Sequence, residues 1–237
     1  MLECYENSQN YDFDENGERA VLEALATTEI NCVFDVGANI GDWTLMANRF
    51  FPKATIHSFE ILEETAATLR ERTAGIANVS VNECGLSDTA RSVELQVFPD
   101  YPVLTNTLGL PHQFESVSKM GTVITGDSYV LQQGIRHIDF LKIDVEGTEG
   151  DVLKGLQDSL RHGRIDVIQF EYGTASIQTK FLLSDFYDLL KPLDYRIGKI
   201  YPNYIEFRDY DWRHEDFFGP NYLAVRSERS DLIQLLG

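Results

Sequence analysis

The sequence predicts an α/β protein with helices on both faces of a mostly parallel sheet. Three observations carry this. Short apolar runs alternate with helical apolar spacings between residues 17 and 83. Hydrophobic residues make up 43% of the chain and charged residues 24%, a balance that supports a packed core. The length of 237 residues suits one large domain better than two.

The elements follow in order. Val21, Leu22 and Leu25 are spaced for a helix over about 17–28. CVFDV, 32–36, reads as a buried strand, and 41–51 as a helix that stops before Pro52. ATIHSFE, 54–60, is a second strand, and Leu62, Ala66 and Leu69 mark the next helix. NVSVNE, 78–83, is a third strand and SVELQVF, 92–98, a fourth with period-two alternation. Residues 99–121 hold three prolines and two glycines without a period, and predict a long lid-like loop. A short strand at 122–125 and a short helix at 127–133 come next. IDFLKIDVEG, 138–147, is a strand ending in acids, followed by a helix carrying Val152, Leu153, Leu156 and Leu160. IDVIQFEYG, 165–173, is another strand ending in an acid. Leu182, Phe186, Leu189 and Leu190 give a helix closed by Pro192. YRIGKIY and NYLAVRS are late strands, and a helix over 228–236 finishes the chain. No repeat or linker interrupts it, so 1–237 is expected to be one domain with its core at about 30–226.

Charge and cysteines narrow the classes of function. The net charge is -18, from 38 acids against 20 bases, which opposes non-specific binding to nucleic acid or an anionic membrane. No apolar run approaches the roughly 20 residues of a membrane span. Cys4, Cys32 and Cys84 are few, odd in number and scattered, which fits neither a disulfide framework nor zinc. Reduced thiols in the cytoplasm are expected. The acidic, polar N-terminus lacks the basic and apolar regions of a signal peptide.

The first strand ends in VFDVGANIGDWTL, 33–45, where a small-residue turn leads into a helix N-terminus. Ligands of open α/β sheets bind at such strand ends, near the reversal of strand order. Gly37 and Gly41 let the backbone turn sharply and a ligand approach. A dinucleotide loop reads GxGxxG, but here Asn39 takes the second glycine position and Asp42 the third. An acid there repels a pyrophosphate, so the loop suits a ligand without phosphates or is an ordinary strand-to-helix turn. Glu60 ends the second strand about 20 residues on, where a carboxylate accepts from ribose hydroxyls. The segment 82–88, NECGLSD, follows the third strand and offers Ser87 or Asp88 to a base edge.

FDVGANIGDWTL, SFE, NECGLSD and above all IDFLKIDVEGTEGDVLKG resemble the FkbM family of S-adenosylmethionine-dependent methyltransferases, over roughly residues 16–226. The resemblance implies a Rossmann-like, doubly wound, seven-stranded sheet, the class I methyltransferase fold. It implies that Asp35, Gly37, Ala38, Asn39 and Gly41 cradle the methionine part of S-adenosyl-L-methionine. Glu60 would hold the ribose. Ile61 stands where the family usually has Pro, and Gly85, Leu86, Ser87 and Asp88 would flank the adenine. The implied acceptor is a hydroxyl on a sugar or related small molecule.

KIDVEGTE places Lys142 and Asp144 on one face of a strand, with Asp144 at its end beside the expected methyl group. Asp144 and Glu146 are catalytic candidates, Glu171 is a third, and Asp144 also touches the donor. Glu149 opens a helix and reads as structural. Methyl transfer to an alcohol needs alignment and late removal of a proton, which a carboxylate or His performs. His112, in the long loop, is the candidate His. A metal-free site is favoured, with Mg²⁺ on Asp144 and Glu171 as the alternative. Tyr172, Asn106 and Thr107 are candidates for the acceptor pocket. The aromatic cluster at 201–218 reads as a tail over the sheet or a homodimer contact. The competing functions are methylation of an amine or a lipid-linked group, and a binding protein that keeps the fold without the chemistry.

Overall fold

The computed structural model describes residue 10 and residues 12–98, 117–219 and 221–237. Its main sheet contains β1 (Cys32–Val36), β2 (Thr55–Phe59), β3 (Val79–Asn82), β7 (Ile138–Ile143), β8 (Ile165–Glu171), β9 (Tyr195–Tyr201), β10 (Tyr204–Phe207) and β11 (Asn221–Arg226). Their order is β10-β9-β11-β8-β7-β1-β2-β3. The five strands from β8 to β3 run parallel, whereas β11 is antiparallel to both β8 and β9. Strand order reverses between β1 and β7, which opens a crevice at their carboxyl ends.

Helices cover both faces, as the alternation predicts. One face carries α1 (Glu18–Leu25), α2 (Asp42–Phe50) and α9 (Ser230–Leu236), which bury Leu22, Trp43 and Leu232 against Ile56, Phe140 and Leu223. The other carries α4 (Gly126–Gln133), α5 (Glu149–Gly155), α6 (Gln157–Arg161) and α8 (Leu183–Leu190), which pack Val130, Leu153 and Phe186 against Leu141, Ile168 and Phe170. Burying a side chain of this size stabilises by about 1.5–3 kcal/mol. The helix α3 (Glu63–Arg72) buries Ala66 and Leu69. No helix among the described residues is long and apolar enough to cross a membrane.

Several elements differ from expectation. The main sheet has eight strands rather than seven, because Tyr204–Phe207 folds back on β9 as an antiparallel hairpin. Ile205 is buried there and Glu206 exposed, an alternation too short to stand out within the aromatic cluster. Residues 117–121 are not loop. They belong to β6 (Val117–Ile124), which pairs with β5 (Arg91–Val97) from Arg91↔Val123 to Val97↔Val117. With β4 (Gly85–Leu86) these strands form a separate three-stranded sheet. The rest of the expected lid, 99–116, lies outside the described residues. The expected helix over 152–160 is two, α5 and α6, meeting at Leu156. A short helix α7 (Ser176–Thr179) was not expected.

Candidate functional site

The parallel register assembles the site. Ser58 on β2 pairs with Asp35 on β1, Asp35 with Lys142 on β7, and Lys142 with Gln169 on β8. A polar row therefore crosses four strands inside the protein. All four residues are buried. Thr44 of α2 donates to Asp35 Oδ2 at 2.6 Å and shares a hydrogen bond with Ser58. Lys142 Nζ stands 3.6 Å from Asp35 Oδ1 and 3.2 Å from Asp144 Oδ2. At the far end Gln169 donates to Glu18 at 2.7 Å, and Glu18 also accepts from Asn16 and Asn221.

Burial pushes the Asp35 carboxyl up, and Lys142 and Thr44 oppose that shift. Burial works against the Lys142 charge, but Asp144, Asp35 and Glu18 outweigh it and raise the ammonium above its ordinary value. Sequence reasoning placed Lys142 on the face of Asp144 but gave it no role in the site. A lysine inside the apolar run FLKI was the available signal, since a buried lysine is almost always paired.

Above this row, loops from β1, β2, β4 and β7 enclose a cavity of about 840 Å³. Gly37, Asn39 and Gly41 adopt left-handed backbone, with φ of 81°, 48° and 91°. Gly37 and Ala38 donate their N–H groups to Phe59 O, which ties the loop to β2. Glu60 accepts from Asn39 N and Leu62 N, each at 2.9 Å, so both carboxylate oxygens are fixed at the rim. Burial raises the Glu60 carboxyl and the backbone donors oppose it. Gly37, Ala38, Asn39, Glu60, Ile61, Gly85, Leu86, Ser87, Asp144 and Glu146 line the cavity.

Three residues expected against a donor do not line it. Asp35 is fully buried beneath the loop, held by Thr44. Gly41 starts α2, with Leu69 where a Cβ would point. Asp88 turns aside to Arg91 at 2.6 Å. Tyr172 is buried and donates its hydroxyl to Glu215, so it does not line the acceptor side either. His112, Asn106 and Thr107 lie outside the described residues. Sequence reasoning also missed Trp43, Arg91, Glu94, Lys154 and Phe181 in the wall.

Glu171 is not in the wall but joins Asp144 and Glu146, the three offering carboxylate oxygens within 4.8 Å of one another. Burial, then Asp144 and Glu149, push Glu146 up to about 8. Burial and all three neighbouring acids hold Glu171 well above the carboxylate range. Such a cluster carries protons near neutral pH unless positive charge intervenes. Glu146 has φ 54°, a strained position for a non-glycine residue. Glu149 accepts from Val145 N and Gly147 N and fixes this turn.

The family model described as the methyltransferase FkbM domain matches residues 35–197. The chain belongs to the FkbM methyltransferase family. Its match takes in the glycine loop, Glu60 and the acid cluster, all of which fall within that span. Among relatives, this FkbM member is 32% identical over 159 residues to 31-O-demethyl-FK506 methyltransferase FkbM of Streptomyces tacrolimicus, covering 54% of this chain and 60% of that one. It is 26% identical over 176 residues to hexuronic acid methyltransferase AglP of Haloferax volcanii, covering 73% and 70%. The chain thus spans about 60% of the length of the FkbM relative. Among solved structures, a putative O-methyltransferase from Klebsiella pneumoniae aligns with TM-score 0.48 at 11% identity, covering 95% of this chain and 88% of that one. The O-methyltransferase TomG from Streptomyces achromogenes, solved with SAM, aligns with TM-score 0.46 at 9% identity, covering 88% and 78%.

Proposed function

We propose that this chain is an S-adenosylmethionine-dependent O-methyltransferase, folded as one domain, that acts on a hydroxyl of a sugar or related small molecule. The observation that carries the reading is that Glu60, at the end of β2, and Asp144 and Glu146, at the end of β7, line one cavity at the β1/β7 crevice.

The residues present fit the donor. Gly37 and Ala38 allow close approach of a ligand to the backbone. The fixed Glu60 oxygens suit two ribose hydroxyls. Ile61 and Leu86 offer an apolar slot for adenine, with Ser87 at its edge. The Trp43 indole N–H, buried and without a hydrogen-bond partner, belongs to a side chain in the cavity wall. S-adenosylmethionine supplies, when bound, an electrophilic methyl group on a good leaving group. Asp144 then takes the hydroxyl proton of the acceptor and Glu146 orients that hydroxyl, while Glu171, outside the wall, positions these two carboxylates. Lys142 offsets the negative charge of Asp144, so the reading is metal-free.

Calorimetric titration with S-adenosylhomocysteine, with NADH as control, tests the base of this reading. Micromolar binding of the first and none of the second is expected, and no binding of S-adenosylhomocysteine overturns it. An acceptor screen with and without a chelator then follows, with turnover retained in the chelator.

A further inference from the structure

We infer that Arg72, which lies outside the cavity wall, is a positioning residue for the donor: it fixes the turn that meets the amino-acid tail of S-adenosylmethionine. The inference rests on the donor reading above and adds a residue that acts without touching the ligand. Two features carry it: how the turn is supported, and which part of the wall the turn supplies.

The loop 37–42 bends through three left-handed residues, Gly37, Asn39 and Gly41. Glycine accepts that conformation, but a side chain makes it less favourable at Asn39. Backbone of this kind keeps its shape only where its surroundings over-determine it. The first half of the loop is tied to β2. Gly37 and Ala38 donate to Phe59 O, and Asn39 N donates to Glu60 Oε2 at 2.9 Å. Those ties stop at Asn39, and the second half rests on α3. Leu69 lies 2.3 Å from where a Cβ on Gly41 would stand. Arg72 follows three residues later, so it shares that face of α3. Its Nη1 donates to Ile40 O at 2.8 Å and its Nη2 to Asp42 Oδ1 at 2.7 Å. A guanidinium holds its N–H groups in a rigid fork. One side chain therefore fixes the spacing between a loop carbonyl and the first residue of α2. The Arg72 and Asp42 side chains are 34% and 56% exposed, and an ion pair so exposed adds little to global stability. What Arg72 sets is local: the shape of the turn.

Asn39, Asp42 and Trp43 line the cavity, while Ile40, Gly41 and Arg72 do not. In the donor reading the adenine lies by Ile61 and Leu86, the ribose at Glu60 and the methyl group beside Asp144. The amino-acid tail, bonded to the same sulfur, is left the wall made by Asn39, Asp42 and Trp43. Asp42 opens α2, and Arg72 holds it directly. Without Arg72 the formed turn becomes one conformer among several, and affinity falls by the fraction of time it is formed. The adenosine end is spared, because the ties to β2 hold Asn39 and Glu60 without Arg72.

The test compares two ligands on the whole protein by calorimetry, S-adenosylhomocysteine and 5′-methylthioadenosine. Both carry adenosine and a thioether, and only the first carries the amino-acid tail. Arg72→Ala should weaken S-adenosylhomocysteine by about fivefold to tenfold and methylthioadenosine by less than about twofold. Arg72→Gln keeps most of the stem and loses the charged fork, and it should show the same split should the alanine variant fold poorly. Hydrogen exchange, which needs neither ligand, should quicken at 40–42 in both variants and stay at the wild-type rate at 37–39. Unchanged S-adenosylhomocysteine affinity in both variants overturns the inference, as does unchanged exchange at 40–42. Equal loss of both ligands also overturns it, because Arg72 would then support the domain at large. A wild-type protein that does not bind S-adenosylhomocysteine identifies failure of the donor reading beneath the inference.

Discussion

Gly37 and the Asp144 carbonyl meet so closely that a Cβ on Gly37 would fall 1.8 Å from that oxygen. The loop after β1 and the end of β7 are thereby locked together at the point where the sheet reverses. Gly37→Ala adds a side chain where none fits, at a φ of 81° that alanine resists. It should cost about 3 kcal/mol or more, from overpacking plus left-handed strain. Urea unfolding measures this, and a loss below about 1 kcal/mol would show that the two loops are free to part.

Lys142 neutralises a carboxylate with no exposure to solvent. Lys142→Met leaves Asp35 buried without its cation, and removing one partner of a buried pair costs about 3–5 kcal/mol. The cost should be greater at pH 8 than at pH 5, because protonation of Asp35 relieves it. Denaturant curves of the variant at both values check this, and an equal deficit would mean that Lys142 serves by packing alone.

Glu60 should matter to the donor more than to turnover. Glu60→Ala removes charge-assisted hydrogen bonds worth about 1.5–3 kcal/mol each, so S-adenosylhomocysteine affinity should fall by about tenfold or more. Calorimetry reads it directly, and unchanged affinity would place the ribose elsewhere.

Asp144→Asn keeps the shape and removes the base. A positioned base contributes about 10²–10⁴-fold, so kcat should fall by about a hundredfold or more while S-adenosylhomocysteine affinity changes less. Once an acceptor is known, kinetics set beside calorimetry decide it. Equal loss in both makes Asp144 a donor ligand.

Stability should fall as pH rises through neutrality. Glu146 sits at about 8 and Glu149 at about 7, both raised first by burial, while in the unfolded chain each returns to about 4.3. Between these values the folded state holds more protons, so their contribution is full below about pH 4.5 and is lost as pH climbs to about 8. His137, raised by its hydrogen bond to Asp166, acts in the same direction. Glu146→Gln should therefore raise Tm at pH 8 and change it little at pH 5. A variant that melts lower than wild type at pH 8 would contradict this.

Much of the site was legible from local pattern. The glycine loop announced itself because small residues after an apolar run and before a helix have few other uses. Glu60, Asp144 and Glu171 stood out as candidates because each lies at the end of a strand, and strand ends of a parallel sheet lie side by side. Asp88 was misjudged for the same kind of reason. Its place in the chain was right for a base edge, but Arg91, three residues on at the start of β5, turns it away.

The sequence by itself determined the alternation of strand and helix, the strand ends that line the cavity, and the glycines those ends need. These follow from periods and turn chemistry within a few residues. Tertiary structure alone decided that Ser58, Asp35, Lys142 and Gln169 form one buried row. It also decided that Glu171 joins Asp144 and Glu146, and that β4, β5 and β6 leave the main sheet. Each depends on register between strands far apart in the chain. A slip of one residue would turn every side chain to the opposite face, so no local spacing encodes which charge meets which.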